Sequence, residues 1–469
     1  MDTQPPTARG RGSSPSLAAL LSFLWPGLGQ FYLGKRRAAA IFAVPAALVL
    51  LLLAYGLQRG AVVFAAQLFA DRTVGLAAVA ILVLLGAWRF ASDLHAFLGG
   101  ERREKHRVLD QAVMAALAAV IVISHLGSGY YVLAYTNAGS EVFDSNNTAL
   151  IDQATPGPSL APGQTPEPGE TVALPTPVSI DNRVTILFTG VDSAPGRGET
   201  LYDSIMVVSY DPKTNSAQMV SVPRDSASFP MYFGTHPVVP VTTRINSVPS
   251  YVRHGWIISP DSPYVTLVKE VSYLVGIPIN YYAVMDLGGF VKMIDAVGGI
   301  DVVNPSAIND PSYDWLNGAP YGFSLAAGPQ HLDGEHALAY VRSRHGADNN
   351  DWVRESRQQQ VLVALLRQMA QPSEFLALPS LISTLGSSVT TDFPANKVAD
   401  YVAIGQNIPS QNITQVVLGP PTYTLTGVND VNSASTTCLI NAKVAAESIT
   451  LFGQDSTWYG KPAPPNTCP

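Results

Sequence analysis

The feature that most constrains this chain is a series of three long apolar runs within its first 135 residues. The runs cover residues 38–57, 74–98 and 112–135. Each run approaches the roughly 20 apolar residues that an α-helix needs to cross the hydrocarbon core of a bilayer. Three such runs in succession do not fit a single cleaved signal peptide. We therefore expect residues 1–135 to form an all-α transmembrane region of about three helices embedded in a lipid bilayer.

A fourth apolar segment, residues 17–33, differs from the others because it contains Pro26 and Gln30. Irregular backbone at membrane depth needs protein or water around it. Basic residues flank this segment at 9–11 and again at 35–37, and the positive-inside rule places both flanks in the cytoplasm. We expect a re-entrant or interfacial hairpin here, with a full fourth crossing as the alternative.

The basic loop at residues 101–107 is also expected to be cytoplasmic, so three crossings leave everything after residue 135 outside the cytoplasm. The next segment, residues 136–180, is rich in Pro, Gly and Thr and has no periodicity, as is typical of a flexible tether. A coil of this length reaches on the order of 35 Å. The domain that follows is therefore expected to work near the membrane surface.

Three predicted strands carry charged residues at their ends. RVTILFTGVD ends at Asp192, DSIMVVSY begins at Asp203, and SAQMVSVPRD closes with Arg224. The turn sequence DPKTN makes the second and third strands antiparallel. If the first strand is antiparallel to the second, all three charged residues meet at one end of a sheet. Two carboxylates beside an arginine suit a divalent metal that clamps phosphate oxygens; ordinary strand-end and turn residues are the alternative.

The segments that follow alternate between helical and strand patterns. They are a helix at 264–275, a strand at 281–285, a helix at 287–297 after a capping Asp286, and a strand at 300–303. The alternation predicts an α/β layered domain with a central mixed sheet flanked by helices. We place this domain at residues 181–425 and a C-terminal extension at 426–469. The apolar face of helix 287–297 fits core packing, with a lipid-lining role as the alternative.

A stretch of four arginines lies between residues 333 and 360. They are Arg342, Arg344, Arg354 and Arg357. Alternation over residues 337–344 predicts a strand with Tyr340, Arg342 and Arg344 on one face. A helix is predicted from Asp351, with Arg354 and Arg357 on a shared face. Arginine forks suit phosphate oxygens; surface ion pairs on a solvated helix are the alternative.

Two compositional facts limit the remaining functions. The formal net charge of −7 argues against a nucleic-acid partner, because domains that bind nucleic acid are usually basic. The two cysteines, Cys438 and Cys468, both lie in the C-terminal extension. An extracytoplasmic location favours a disulfide between them, with two free thiols as the alternative.

Several sequence words, taken together and in order, resemble the LytR-CpsA-Psr family over roughly residues 183–370. The words are ILFTGVDS, YDSIMVVSYDPKTNSAQMVSVPRDS, TRINSVPSY, YYAVMDLGGFVKMIDAVGGIDV and GPQHLDGEHALAYVRSRHGADNNDWVRESRQQQVL. The resemblance implies a membrane-anchored phosphotransferase of cell-wall assembly. Such an enzyme moves a glycopolymer phosphate from a polyprenyl-pyrophosphate carrier to peptidoglycan.

The resemblance also implies roles for individual residues. Asp192 and Asp203 would hold Mg²⁺ (or Mn²⁺), and Arg224 would contact the pyrophosphate. The arginines expected at the same head-group site are Arg342, Arg344, Arg354 and Arg357. The residues expected to bind substrate are Arg244, Asn246, Tyr340 and Gln358. Asp351 is the candidate base for the acceptor hydroxyl, with helix capping as its other role.

One departure from the family pattern concerns the loop before Asp203. The family usually has an arginine where this chain has Leu201, and Arg197 is the candidate substitute. Two other functions stay open at this point. One is a phosphatase that acts on polyprenyl pyrophosphates with water as acceptor. The other is a non-catalytic membrane protein that binds lipid phosphates and acts as a regulator.

Overall fold

The computed structural model describes residues 13–58, 61–101, 107–142, 182–192, 201–233, 243–344, 350–369, 388–394, 397–429 and 435–465. The chain divides into two compact units, residues 1–137 and 138–469. Several predicted features lie outside the described residues. They are most of the 136–180 tether, Arg197, a helix expected at 375–385, and Cys468.

The first unit is entirely helical in its described part. Its helices are α1 (Pro15–Leu24), α2 (Leu28–Tyr32), α3 (Arg36–Gln58), α4 (Ala61–Ala70), α5 (Arg72–Gly99) and α6 (Arg107–Val142). Three segments are long and apolar enough to cross a membrane, namely Arg36–Gln58, Arg72–Gly99 and Arg107–Asn137. This confirms the three predicted helices by length and composition.

Residues 17–33 include most of α1, a short turn and α2. Both helices are too short to span a bilayer. The buried Gln30 accepts from the Ser22 hydroxyl at 2.8 Å and donates to the Ser92 carbonyl of α5, also at 2.8 Å. These bonds satisfy a polar side chain inside an apolar bundle, where an unpaired amide would be costly. The segment is therefore a helix–turn–helix, and its re-entrant or interfacial position in the membrane stays a prediction.

The second unit is built on a six-stranded sheet. The strands of the unit are β1 (Val184–Asp192), β2 (Leu201–Asp211), β3 (Ser216–Ser221), β4 (Tyr281–Asp286), β5 (Ile300–Asn304), β6 (Ile308–Asp310), β7 (Phe323–Leu325), β8 (Gly328–Leu332), β9 (Val389–Thr391), β10 (Ile413–Val417), β11 (Thr424–Asn429) and β12 (Ser435–Leu439). The sheet order is β10-β3-β2-β1-β4-β9, and β5–β8, β6–β7 and β11–β12 form separate pairs. β1 is antiparallel to β2 and parallel to β4, so the sheet is mixed as predicted.

Helices pack around this sheet. They are α7 (Val248–Arg253), α8 (Pro263–Val275), α9 (Leu287–Ala296), α10 (Gly334–Arg342), α11 (Asp351–Met369), α12 (Val398–Asn407) and α13 (Asn441–Phe452). Asp286 caps α9 by accepting from the Gly289 amide, as expected. Ile294 of α9 and Val297, directly after the helix, are fully buried in a hydrophobic core, which supports core packing for this helix.

The C-terminal segment belongs to the core that contains the sheet. Leu439, Val444 and Phe452 pack in one cluster with Leu187 of β1. The predicted boundary at residue 425 therefore falls within β11. Cys438 is buried and disulfide-bonded; pairing with Cys468 stays a prediction.

The predicted strand at residues 337–344 is wrong, because this segment is helix α10 and its C-terminal cap. Asp333 accepts from the His336 amide and starts the helix. Residues 337–341 are all buried, so both alternating rows of the supposed strand are packed inside protein. A helix that is buried on most sides loses the period that distinguishes it from a strand.

Candidate active site

A β-bulge positions the two acidic residues at the end of the sheet. In the β1–β2 register Gly190 pairs with Ser204 and Val191 pairs with Tyr202, so Asp203 is the extra residue. A bulge bends its strand and redirects a side chain. Asp192 ends β1 with its side chain buried, next to this irregularity. The predicted meeting of the strand ends is confirmed, although β2 begins at Leu201 and the bulge itself was not predicted.

Arg224 lies just beyond β3 and faces these carboxylates. Its Nη1 forms an ion pair with Asp203, and its Nε lies 3.5 Å from Asp225. Burial acts to lower the pKa of Arg224, but attraction to Asp203 and Asp225 outweighs burial and raises the pKa. This guanidinium is therefore held as a cation by its neighbours. We call Asp192, Asp203 and Arg224 the sheet wall of the site.

The segment with Arg244 and Asn246 supports the loop that carries Arg224. Arg244 Nε lies 3.3 Å from Asp225, and the Asn246 amide donates to the Arg224 carbonyl at 3.3 Å. The Asn246 side chain is buried. Both residues thus brace the sheet wall, and direct substrate binding by either stays a prediction.

The other side of the site is formed by the end of α10 and the start of α11. We call Arg342, Arg344, Asp351 and Arg354 the helix wall. α10 ends at Arg342, whose Nη2 lies 3.9 Å from Asp192 Oδ2. This contact joins the two walls. Because the backbone turns at Ser343, Arg342 and Arg344 have different neighbours instead of sharing the face of a strand.

Asp310 fixes this turn and was missed from the sequence. Its buried carboxylate accepts from the Ser343 hydroxyl at 2.8 Å and from the Arg344 amide at 3.3 Å. The only sequence signal was an Asp-Pro pair, which by itself predicts a turn. The structure shows that this turn residue positions Arg344.

Arg344 and Arg354 approach each other around Asp351. Asp351 Oδ1 lies 2.8 Å from Arg354 Nη1 and 3.6 Å from Arg344 Nε. Burial, followed by repulsion from Arg224 and Arg354, lowers the pKa of Arg344 to about 10. We call Arg224, Arg344 and Arg354 the guanidinium cluster. Its like charges are close enough to disfavour one another, so an anion placed among them would be stabilised.

Arg354 is the most telling member of this cluster. Only 3% of its side chain is exposed. Its Nε and Nη2 are buried and have no hydrogen-bond partner within the described ranges. A buried cation with unused donors is costly unless something accepts from them. The side chain of Asn350 caps the start of α11 by accepting from the Trp352 and Val353 amides. Because Asn350 is the cap, the Asp351 side chain faces Arg344 and Arg354.

The other predicted residues of this stretch make contacts between α10 and α11. Tyr340 is fully buried and its hydroxyl donates to Gln360 at 2.7 Å; its expected role in contacting substrate stays a prediction. Arg357 lies over the Tyr340 ring, 5.2 Å from its centroid. Gln358 donates to the Val341 carbonyl at 3.5 Å, which ties α11 to α10. Gln359, not singled out from the sequence, donates to Ser221 of β3 and to the Val416 carbonyl, each at 2.8 Å.

A buried carboxyl group, Glu355, lies behind Arg354. Its side chain is 4% exposed, and burial raises its pKa to about 8, although Arg354 acts to lower it. At neutral pH this group is therefore mostly protonated and adds little negative charge to the helix wall.

The donor chemistry of the sheet wall fits a hard divalent cation. Magnesium takes one or two protein carboxylates and completes its shell with water and substrate phosphates. Asp192 and Asp203 supply two carboxylates on neighbouring strands. Among the described residues there is no group of three or more His, Cys, Asp or Glu side chains that could hold a metal. Any ion here would depend on phosphate oxygens for its remaining ligands.

Comparison with known proteins gives a family match. The sequence model of the LytR_cpsA_psr family matches residues 161–448. The chain belongs to the LytR-CpsA-Psr family. The match includes both walls of the site and extends past residue 425.

Individual members of the family are similar over about half of the chain. One relative is a Halalkalibacterium halodurans protein named polyisoprenyl-teichoic acid–peptidoglycan teichoic acid transferase TagU. It is 28% identical over 241 residues, or 50% of this chain and 71% of the relative. A protein of the same name from Bacillus anthracis is 31% identical over 223 residues, or 48% of this chain and 65% of the relative. The crystal structure of B. subtilis TagV superposes with a TM-score of 0.46 and 25% identity, covering 58% of this chain and 96% of that one.

Proposed function

We propose that this protein is a membrane-anchored phosphotransferase of cell-wall assembly. It takes a glycopolymer linked to a polyprenyl pyrophosphate and transfers the glycopolymer phosphate to a hydroxyl of peptidoglycan. Two relatives carry names that describe transfer of teichoic acid from a polyisoprenyl carrier to peptidoglycan. The catalytic unit works outside the cytoplasm, where peptidoglycan is found; the distribution of basic residues in the membrane region supports this orientation.

The observation that carries the proposal is the set of buried donors of Arg354 that lack a partner in the described part of the chain. Its buried guanidinium holds two donor groups without a partner among the described residues, beside two further arginines. Arginine forks match phosphate oxygens in shape and charge. A pyrophosphate supplies several negative oxygens that can accept from these donors.

The residues divide the work of the reaction between them. The guanidinium cluster holds the transferred phosphate and offsets the charge that develops as the bond to the leaving group breaks. The acceptor hydroxyl oxygen attacks the phosphorus next to the sugar, the bond between the two phosphates breaks, and polyprenyl phosphate leaves. Asp351 takes the hydroxyl proton in this proposal, which is supported by its 41% exposure and by its position beside Arg344 and Arg354. Asp192 and Asp203 would hold a magnesium ion, which supplies charge neutralisation when bound.

The test uses the full chain in lipid nanodiscs with a polyprenyl-pyrophosphate-linked glycopolymer. With magnesium and peptidoglycan fragments present, we expect glycopolymer to become covalently attached to peptidoglycan, measured by mass spectrometry. Chelation with EDTA should stop the reaction, and added magnesium should restore it.

A matched pair of variants assigns the reaction to the cluster. Arg344→Ala should lower the transfer rate by about 100-fold or more, because one phosphate contact is lost. Arg367→Ala is the control, since Arg367 lies on α11 and contacts Ser410 instead of the site. Release of glycopolymer phosphate at the same rate without any acceptor would identify a phosphatase. Equal transfer rates for the two variants would show that the guanidinium cluster does not take part in the reaction.

A further inference from the structure

An exposed apolar tip follows α7. Ile258 is 89% exposed, more than any other large hydrophobic side chain among the described residues, the candidate membrane helices included. Trp256 beside it is 63% exposed. A scattered exposed apolar residue needs no explanation, but an exposed indole next to an exposed branched aliphatic side chain marks an interaction surface. We call residues 251–258 the Trp256 tip.

The tip is a built turn, held from both sides. The amides of Trp256 and Ile257 both donate to the Tyr251 carbonyl, at 2.9 and 3.2 Å. Gly255 has a φ of +71°, a backbone conformation that favours glycine and lets α7 stop at this point. Tyr251 packs edge-on against the Trp256 ring, and His254 stacks on it at 4.9 Å. Several contacts thus hold the Trp256 side chain in an exposed position.

The Trp256 tip is anchored in the core by its own residues, and the segment before it contacts the sheet wall. Val252 and Ile257 pack against the core cluster that contains the sheet. On the following side, Ser259 bonds to Thr266 of α8 at 2.7 Å. On the preceding side, α7 follows directly on the Ile245–Ser247 turn that braces Arg224. Since α7 has six residues, its axis is only about 9 Å long. The tip is therefore a rigid projection from the segment that supports the sheet wall.

We propose that the Trp256 tip inserts into the interfacial layer of the bilayer to which the chain is anchored. Indole rings are favoured at the boundary between headgroups and acyl chains, and aliphatic side chains such as Ile258 enter the apolar layer beneath. The tip contains Arg253 and no acidic residue. The nearby Asp261 is neutralised by Lys269 at 2.6 Å. This charge balance suits anionic phospholipid headgroups.

A glycan is the other class of partner that aromatic residues recognise, and the geometry favours lipid. One face of the Trp256 ring is already covered by His254, and Ile258 offers no hydrogen bond to a sugar hydroxyl. The membrane-docking proposal rests on the proposed function in one respect: docking would bring the site to the depth at which a polyprenyl pyrophosphate presents its head group.

The experiment measures insertion directly, without reference to catalysis. The full chain carrying Ile258→Cys, labelled with an environment-sensitive fluorophore, is placed in nanodiscs of equal parts phosphatidylglycerol and phosphatidylethanolamine. Doxyl-labelled lipids that quench near the headgroups should reduce the signal about twofold or more. Tyr321→Cys is the matched control, because Tyr321 is 72% exposed in the same unit, and its label should stay unquenched. Transfer activity, measured in the same preparation, separates failure of docking from failure of the proposed reaction.

Two results would overturn the docking proposal. One is equal quenching at both labelled positions, or at neither. The other is a blue shift of the Ile258→Cys label that occurs only when peptidoglycan fragments are added. A second variant, Trp256→Ser with Ile258→Ser, removes the tip without touching the core. It should lower transfer from donor embedded in nanodiscs about tenfold and leave transfer from a water-soluble short-chain donor unchanged; equal loss with both donors would contradict insertion.

Discussion

The two walls of the site handle buried arginine in opposite ways. In the sheet wall, Arg224 is balanced by Asp203 and Asp225, and its pKa is raised. In the helix wall, Arg354 has one carboxylate partner and two buried donors without a partner in the part of the chain that the structure describes, and its pKa is lowered chiefly by burial and by Arg224. Carboxylates of the protein thus balance the charge of Arg224, whereas Arg354 keeps donors that an anion would satisfy.

The difference lies in how each charge is balanced: carboxylates of the fold balance Arg224, whereas the charge of Arg354 is left largely for a ligand. Removing one member of a buried ion pair destabilises a protein because the remaining charge has no partner. Removing a buried charge that has too few partners relieves a cost. The same substitution should therefore have opposite effects on stability in the two walls, while both substitutions impair transfer.

The largest effect is expected for Arg354→Met. The variant loses the most buried of the proposed phosphate contacts, so the transfer rate should fall by about 100- to 1,000-fold, or roughly 3–4 kcal/mol of transition-state stabilisation. Its apparent Tm should stay the same or rise, because an incompletely paired buried cation has been replaced by an apolar side chain. Steady-state transfer kinetics and thermal unfolding of the full chain in nanodiscs test both parts. Arg367→Met on the same helix is the control, and a Tm that falls along with activity would show that Arg354 is already satisfied in the free protein.

Arg224→Met should have a smaller effect on transfer and the opposite effect on stability. The change leaves Asp203, which is partly buried, without its cation. A loss on the order of 1–3 kcal/mol of unfolding free energy is expected for such a partly exposed pair. The double variant Arg224→Met with Asp203→Asn should recover part of this loss, as thermal or denaturant unfolding would show. Strict additivity of the two single variants would mean that the ion pair contributes nothing.

The sheet wall could largely be read from the sequence. Asp192 and Arg224 follow strands with clear apolar patterns, and an Asp-Pro turn fixes the direction of the second hairpin. Strand pairing then brings the ends together by geometry alone. The bulge at Asp203 was not readable, because it shows only as a shift of one residue in the pairing of two strands.

The helix wall could be read only in part, because its placement depends on contacts between distant segments. The alternation at residues 337–341 reflects burial by α9 and α11, which the sequence does not display locally. Asp310 and Gln359 act through partners 34 and 138 positions away. Of the three consecutive glutamines the sequence singled out only Gln358, as a substrate-binding residue, and the structure uses each of the three to attach α11 to a different neighbour.

The smallest expected effect concerns pH and the helix wall. The pKa of Glu355 rises from an ordinary value of 4.5 to about 8, chiefly through burial. Between these values the folded protein holds a proton that the unfolded chain has released. The stabilisation is therefore complete below about pH 4.5 and is lost as the pH rises through about 8. Glu355→Gln, which stays neutral, should match the parent protein in apparent Tm near pH 4, exceed it by a margin that grows as the pH rises toward about 8, and exceed it by several degrees near pH 9.

The same titration should also affect ligand binding. Ionised Glu355 places a negative charge behind Arg354, where it competes with phosphate for the positive field of the guanidinium cluster. The Michaelis constant for the lipid-linked donor should therefore rise between about pH 7 and about pH 9 in the parent protein and change less in Glu355→Gln. Asp400→Asn is a suitable control, because Asp400 is paired with Lys397 at 3.8 Å on a partly exposed helix outside both walls. Parallel pH profiles for the parent protein and Glu355→Gln would show that this carboxyl group is already ionised in the folded state, and the helix wall would then carry one more negative charge than its burial implies.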